Sequence, residues 1–218
     1  MKGLFITFEG TEGSGKSTQV PLLAQRLRKL GQPVRQVREP GGTAIGEEIR
    51  HTLKHSANNC AMTPEAELLL MNASRAQLVR ETIRPALAAG EIVLCDRFYD
   101  STTAYQGYGR ELNLEAVRAI IDFAVEDTQP DLTLLFLVPA GLSEERRLAR
   151  QPTLPFARDR IEEADRSFFE RVETGYEAIA ATEPQRVRKI DATDTVEAVA
   201  DAVWDALEPI LEKRAVED

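Results

Sequence analysis

Residues 10–18 read Gly10-Thr-Glu-Gly-Ser-Gly-Lys-Ser-Thr18, GTEGSGKST. From Gly10 to Ser17 the stretch satisfies G-x-x-x-x-G-K-[ST] in full. Its context is the one the motif requires. An apolar run, residues 3–8, precedes it, and a helical pattern of Val20, Leu23 and Leu27 follows. Glycines at such spacing let successive backbone N–H groups turn inward onto phosphate oxygens. A helix N-terminus adds partial positive charge to the same point. Lys16 is positioned to reach the β- and γ-phosphates, and the Ser17 hydroxyl to ligate Mg²⁺. Gly10, Thr11, Glu12, Gly13, Ser14, Gly15, Lys16, Ser17 and Thr18 are therefore the expected cradle of a P-loop that binds ATP or GTP. Glu12 is the odd member, because a carboxylate repels phosphates unless it has other work. It is either a solvated loop tip or a residue facing a second substrate or a metal-bound water.

Working outward, apolar runs alternate with helical patterns. The runs are residues 3–8, 33–37, 91–95, 132–138 and 186–190. Val117, Ile120, Ile121, Ala124 and Val125 share one helix face, and so do Val196, Val199, Ala200, Val203 and Leu207. Residues 63–89 read as one long helix that kinks before Pro85. Strand and helix in alternation imply an α/β fold, a parallel sheet covered on both faces. No repeat or linker interrupts the 218 residues, so one domain is expected.

The net charge of −9 disfavours nucleic acid and anionic membrane as partners. A phosphorylated small molecule stays compatible with it, since a local basic pocket can sit on an acidic protein. No segment approaches the ~20 apolar residues of a membrane span, and the residues after Lys2 are not expected to act as a signal peptide. The two cysteines, Cys60 and Cys95, make no disulfide framework. The expectation is a reduced, cytoplasmic compartment. His51 and His55 stand at i, i+4, but nothing nearby completes a metal site, and they read as surface residues.

What becomes of the phosphate is decided further along. No N-K-x-D stretch, the base-reading signature of GTP switches, occurs. The strand at 92–95 ends in Asp96-Arg97, not in the D-E pair that polarises water in many ATPases. An arginine there suits an anionic acceptor and so phosphoryl transfer. In the segment that follows, Arg97 offers a fork for phosphate. Ser101, Thr102 and Gln106 offer neutral hydrogen-bonding groups for a base edge, and Tyr105 a ring against a sugar. If helical, all four lie on one face.

Taken together, Phe8-Glu-Gly10, the P-loop, Arg38-Glu-Pro-Gly-Gly-Thr43, Ala73-Ser-Arg-Ala-Gln77, Asp96-Arg-Phe98, Ala104-Tyr-Gln-Gly107 and Asp159-Arg-Ile-Glu162 resemble the bacterial type of thymidylate kinase, over nearly the whole chain and in the right order. The resemblance implies a three-layer P-loop kinase fold with a five-stranded parallel sheet, helices on both faces and an arginine-rich lid at about 146–162. It implies transfer of the γ-phosphoryl of ATP to dTMP with Mg²⁺, usually from a homodimer. Arg97 and Arg38 would hold the dTMP phosphate, Arg75 the thymine carbonyl, and Thr102 and Gln106 the rest of the base edge. Tyr105 would sit against the sugar carbon that lacks a hydroxyl. Glu12 falls where the family places an acidic residue near the acceptor sugar, and Asp191-Ala-Thr193 where a loop touches adenine. Met71 stands where the family often has an aromatic ring on the base; a thioether covers the face more softly.

Bringing two anions end to end is the central electrostatic problem, so catalysis is expected from alignment and charge neutralisation. The resemblance implies an arginine supplied from the P-loop in some members and from the lid in others; the P-loop here has none, which points to the lid. Arg150 and Arg158 are the candidates to meet the migrating phosphoryl, and the choice between them stays open. Asp159 and Glu162 would orient the arginines or hold metal waters. Asp96 would support Arg97 or a magnesium-bound water. No base is expected, because the acceptor oxygen is already ionised. Two rivals remain at this level: a kinase for another nucleoside monophosphate, and a nucleotide-regulated interaction protein with no acceptor.

Overall fold

The computed structural model describes residues 3–56, 58–150, 161 and 165–216. Five strands form one sheet: β1 Leu4–Glu9, β2 Val34–Arg38, β3 Ile92–Asp96, β4 Leu132–Leu137 and β5 Val187–Asp191. All neighbours are parallel, in the order β2-β3-β1-β4-β5. Every residue of β1 is buried, as expected for a strand covered on both faces. The five apolar runs of the sequence all become strands, each within a residue or two of its expected ends.

The helices are α1 Lys16–Lys29, α2 Ala44–Lys54, α3 Pro64–Leu78, α4 Arg84–Ala88, α5 Tyr99–Thr102, α6 Leu114–Val125, α7 Ala140–Arg150, α8 Arg166–Thr182 and α9 Val196–Val216. One face of the sheet packs on α1 and α9 through Val20, Leu23, Leu27, Val203 and Leu207. The other packs on α3, α4 and α6 through Leu78, Ala86, Val117, Ile121 and Val125. A third cluster joins Tyr105 to Phe168, Val172 and Tyr176 of α8. The helix faces expected from periodicity are buried, Ile120 and Ala200 partly so, except that Val196 is exposed and gives its carbonyl to Gln19 Nε2 instead.

Two helical stretches depart from the α register. Between α3 and α4, residues Val79–Ile83 are π-helical. Pro85 stands two residues beyond it; it lacks an N–H and its ring crowds the preceding turn, so the single long helix expected at 63–89 loosens there. Thr63 caps the start of that helix by accepting from Ala66 N. The second π stretch, Thr103–Gly109, continues α5 and carries Tyr105 and Gln106. Such wide turns re-aim side chains and recur at functional sites.

Strand order decides where chemistry can happen. β1 lies between β3 and β4, so the loop leaving β1 and the turn leaving β3 emerge side by side. Phe8 pairs with Asp96, and Arg97 N donates to Phe8 O at 2.9 Å. The glycine loop and Arg97 are thus neighbours at the carboxyl ends of the strands, where open α/β sheets bind ligands.

Candidate active site

A cleft of about 870 Å³ opens at this edge. On one wall the P-loop runs from β1 into α1. Gly10 has φ 131, and a Cβ there would come 2.4 Å from Phe136 O of β4. Only glycine lets the loop lie that close to the sheet. Lys16 Nζ donates to Gly10 O at 2.8 Å, Thr11 O at 2.7 Å and Ser14 Oγ at 3.1 Å. Burial, with Arg97 adding repulsion, lowers its pKa to about 7, against the pull of Asp96, Glu12 and Glu9. Glu12, Gly13, Ser14, Gly15, Lys16, Ser17 and Thr18 line the cleft, while Gly10 and Thr11 support it from behind.

The opposite wall starts at Arg97, in the left-handed region at φ 68. Its guanidinium donates to Ser101 Oγ at 3.0 Å and to the hydroxyls of Tyr176 and Tyr105, both at 3.3 Å. Glu12 lies 3.5 Å away. The expected acidic P-loop residue therefore faces the second wall rather than solvent alone. Beneath Arg97 sits Glu9, fully buried at the end of β1. It accepts from Phe98 N at 2.7 Å, Ser101 Oγ at 2.6 Å and Tyr176 OH at 2.9 Å. The two hydroxyls thus donate down to Glu9 and accept from Arg97 above. Burial, then repulsion from Asp100, raises the Glu9 carboxyl to about 7, although Arg97, Ser101 and the Phe98 N–H favour its charge.

Further along, Arg75 is only 2% exposed. Its Nε and one Nη donate to the same Glu39 oxygen at 2.9 and 2.7 Å, with Asn72 Oδ1 at 2.8 Å and Phe98 O at 3.2 Å completing the set. A guanidinium has five N–H donors, so among the described residues one is left for the cleft. The other Glu39 oxygen is buried without a hydrogen-bond partner among the described residues. Thr102 and Gln106 are buried and Ser101 is half-buried, and with Tyr105 they line the cleft as the expected common face. Met71 lines it too, half-buried. Arg38 is the least constrained of the expected set: exposed, it pairs with Glu47 at 2.8 Å at the cleft's edge.

Ser17 and Asp96 both line the cleft beside Lys16. A hydroxyl and a carboxylate are hard oxygen donors, too few for a protein cage and suited to Mg²⁺, which keeps waters and phosphate oxygens in its shell. Among the described residues no group of three His, Cys, Asp or Glu could hold a metal. His51 and His55 are both exposed. Cys95 is buried and Cys60 exposed, as free thiols.

Just before the expected lid, α7 is fastened to the P-loop. Ser143 Oγ donates to Glu12 O at 2.5 Å, and a Cβ on Gly13 would meet Ser143 O at 2.6 Å. Arg146 reaches Ala192 O at 2.8 Å, in the segment expected to touch adenine. Arg150 ends α7 with its side chain outside the described residues, and Arg158, Asp159 and Glu162 lie outside them altogether. Sequence reasoning missed Glu9, Glu39, Glu67 and Tyr176. Only Glu9 left a signal, a lone carboxylate closing an otherwise apolar strand.

The family model described as thymidylate kinase matches residues 8–203. A thymidylate kinase of Alcanivorax borkumensis is 49% identical over 199 residues, covering 91% of this chain and 93% of that protein. One of an Exiguobacterium species is 45% identical over 205 residues, 94% of each. The crystal structure of thymidylate kinase from Ehrlichia chaffeensis superimposes with a TM-score of 0.76 at 32% identity, covering 95% of this chain and 99% of that one. With the nucleotide cradle, the β3 arginine and the sheet order all in place, the chain belongs to the thymidylate kinase family.

Proposed function

We infer that the cleft transfers the γ-phosphoryl group of ATP to dTMP, giving dTDP and ADP for dTTP synthesis. Family membership carries the reaction. One observation ties it to this chain's own atoms: Arg97 stands 3.5 Å from Glu12 and lines the same cleft as Lys16. A donor cradle and an acceptor-side guanidinium so close together suit end-to-end transfer between two anions.

In this reading residues 10–18 hold the ATP phosphates, with Lys16 steadying the transferred group. Arg97, joined by Arg38, holds the dTMP phosphate. Arg75, Thr102 and Gln106 read the base, Met71 covers its face, and Tyr105 excludes a 2′-hydroxyl while Ser101 braces Arg97. Ser17 and Asp96 would hold Mg²⁺, which would supply charge neutralisation between donor and acceptor. Glu12 keeps Arg97 turned toward the P-loop. Arg150 or Arg158 brings the last positive charge from a lid at about 146–162, part of one P-loop domain spanning the chain. The acceptor oxygen is ionised near neutral pH and needs no base.

The assembly proposed is a homodimer. α3 and α6 pack together and leave Leu69 and Phe123 exposed, the latter by 81%, an apolar surface of the kind partners cover. The compartment proposed is the cytoplasm, consistent with two unpaired thiols. Nucleic acid and membrane are not among the proposed partners, given the net charge of −9. No helix among the described residues is long and apolar enough to cross a bilayer.

A coupled ADP-release assay across dTMP, dUMP, UMP, AMP and GMP tests the reading. Turnover is expected to be highest with dTMP. Preference for AMP, or ATP consumption that needs no monophosphate, refutes it.

A further inference from the structure

A primary amide can present either of its ends, and a site that reads a base edge with one must fix which. Gln106 is 2% exposed, on the π-helical wall of the cleft. Its Nε2 donates to Glu67 Oε1 at 2.9 Å. Glu67, from α3, is 1% exposed. A carboxylate only accepts, so the amide nitrogen must be the end turned toward it. Arg110 holds Glu67 from the far side, Nε to Oε1 at 3.3 Å and Nη2 to Oε2 at 3.2 Å. The carbonyl end of Gln106 then has no donor among the described residues. The same is true of the Thr102 hydroxyl one turn earlier, which is 1% exposed and lines the same wall.

We propose that Glu67, clamped by Arg110, is a specificity-positioning residue that locks the Gln106 amide with its carbonyl oxygen toward the nucleobase, so that the site takes a 4-keto, N3–H pyrimidine and rejects a 4-amino one. This rests on the reading of the cleft as the dTMP site. Thymine offers a donor at N3 and an acceptor at O4. A fixed Gln106 carbonyl matches the first, and the remaining Arg75 N–H the second. Cytosine reverses both, with an acceptor at N3 and a donor at N4. Arg75 cannot reverse, since a guanidinium has no acceptor. Gln106 could, by turning over, and Glu67 is what forbids it. Sites that commit buried polar groups in this way discriminate far more strongly than apolar pockets do.

The test compares kcat/KM for dTMP, dCMP and dUMP in the full-length protein and in Glu67→Gln. The substitution preserves size, but its own amide can face Gln106 by either end and no longer selects one. The dTMP:dCMP ratio is expected to fall by about tenfold or more. The dTMP:dUMP ratio should stay within about twofold, because those bases share the keto edge and differ only in a methyl. Should Glu67→Gln fail to fold, Arg110→Gln loosens the same clamp and is expected to shift the same ratio in the same direction. A parallel drop for all three substrates, with the dTMP:dCMP ratio unchanged, overturns the proposal and makes Glu67 merely structural. Wild-type protein that uses dCMP as well as dTMP refutes the reading of the site itself.

Discussion

Replacing Glu9 by glutamine changes how the stability of this protein depends on pH. The carboxyl is fully buried, and its pKa rises from 4.5 to about 7. Below about 4.5 it is protonated in both folded and unfolded chains and adds its full share of stability. As pH rises toward 7 only the unfolded chain gives up the proton, so the fold loses stability until the buried carboxyl ionises as well. With 1.36 kcal/mol for each tenfold change in proton affinity, the loss totals about 3 kcal/mol by pH 8. A glutamine can still accept from Phe98 N and donate to the hydroxyls of Ser101 and Tyr176, and it does not titrate. Urea unfolding of wild type and Glu9→Gln at pH 5, 6, 7 and 8, followed through the single tryptophan, Trp204, gives the comparison. The wild-type value minus the variant value should fall by about 2.5 kcal/mol over this range, the rest having been lost below pH 5, and then level off. Parallel curves would refute the assignment of a neutral-range titration to Glu9. The variant should also raise the KM for dTMP, because the hydroxyls that brace Arg97 lose their charged anchor.

On the proposed role of Arg97, Arg97→Ala would remove about two charge-assisted hydrogen bonds to the acceptor phosphate, worth ~1.5–3 kcal/mol each; kcat/KM for dTMP should fall about 10²–10⁴-fold while ATP affinity, measured by calorimetry, stays within about threefold. Gly13→Ala sets a Cβ 2.6 Å from Ser143 O at φ 79; the Tm should drop by the equivalent of ~1–3 kcal/mol, and the KM for ATP should rise as the loop moves off α7. Arg75→Met leaves Glu39 buried without its cation, and urea unfolding should register a loss of ~3–5 kcal/mol. Adding Glu39→Gln to that variant should restore more than half of the loss; no recovery would mean that Arg75 stabilises by packing alone.

Much of this molecule is readable in one dimension because its strands are buried on both faces and so spell continuous apolar runs. The glycine spacing of 10–15 and the Asp96-Arg97 strand end are equally local, and both mark the cleft. What escaped is pairing at a distance. Glu9 meets Tyr176, 167 residues away, and Gln106 meets Glu67, 39 residues away. Nothing in the neighbourhood of Glu67 distinguishes it from a solvated helix carboxylate until α3 is laid against the π-helical wall. The π turns escaped for a different reason. One extra residue in a single turn leaves little mark on apolar periodicity, and at 79–83 only Pro85 hints at the change. Arg38 was expected on phosphate, and the structure shows it on Glu47, a competition between partners that sequence spacing does not weigh.

Arg97 occupies a backbone conformation that glycine adopts freely and that an L side chain resists. Selection for stability alone would therefore drift this position toward glycine, and selection for turnover would pull it back. In a library sorted first by heat resistance and then by activity, position 97 should be where the two sortings disagree most plainly, a single residue at which the durability of the scaffold and the work it does are set against each other.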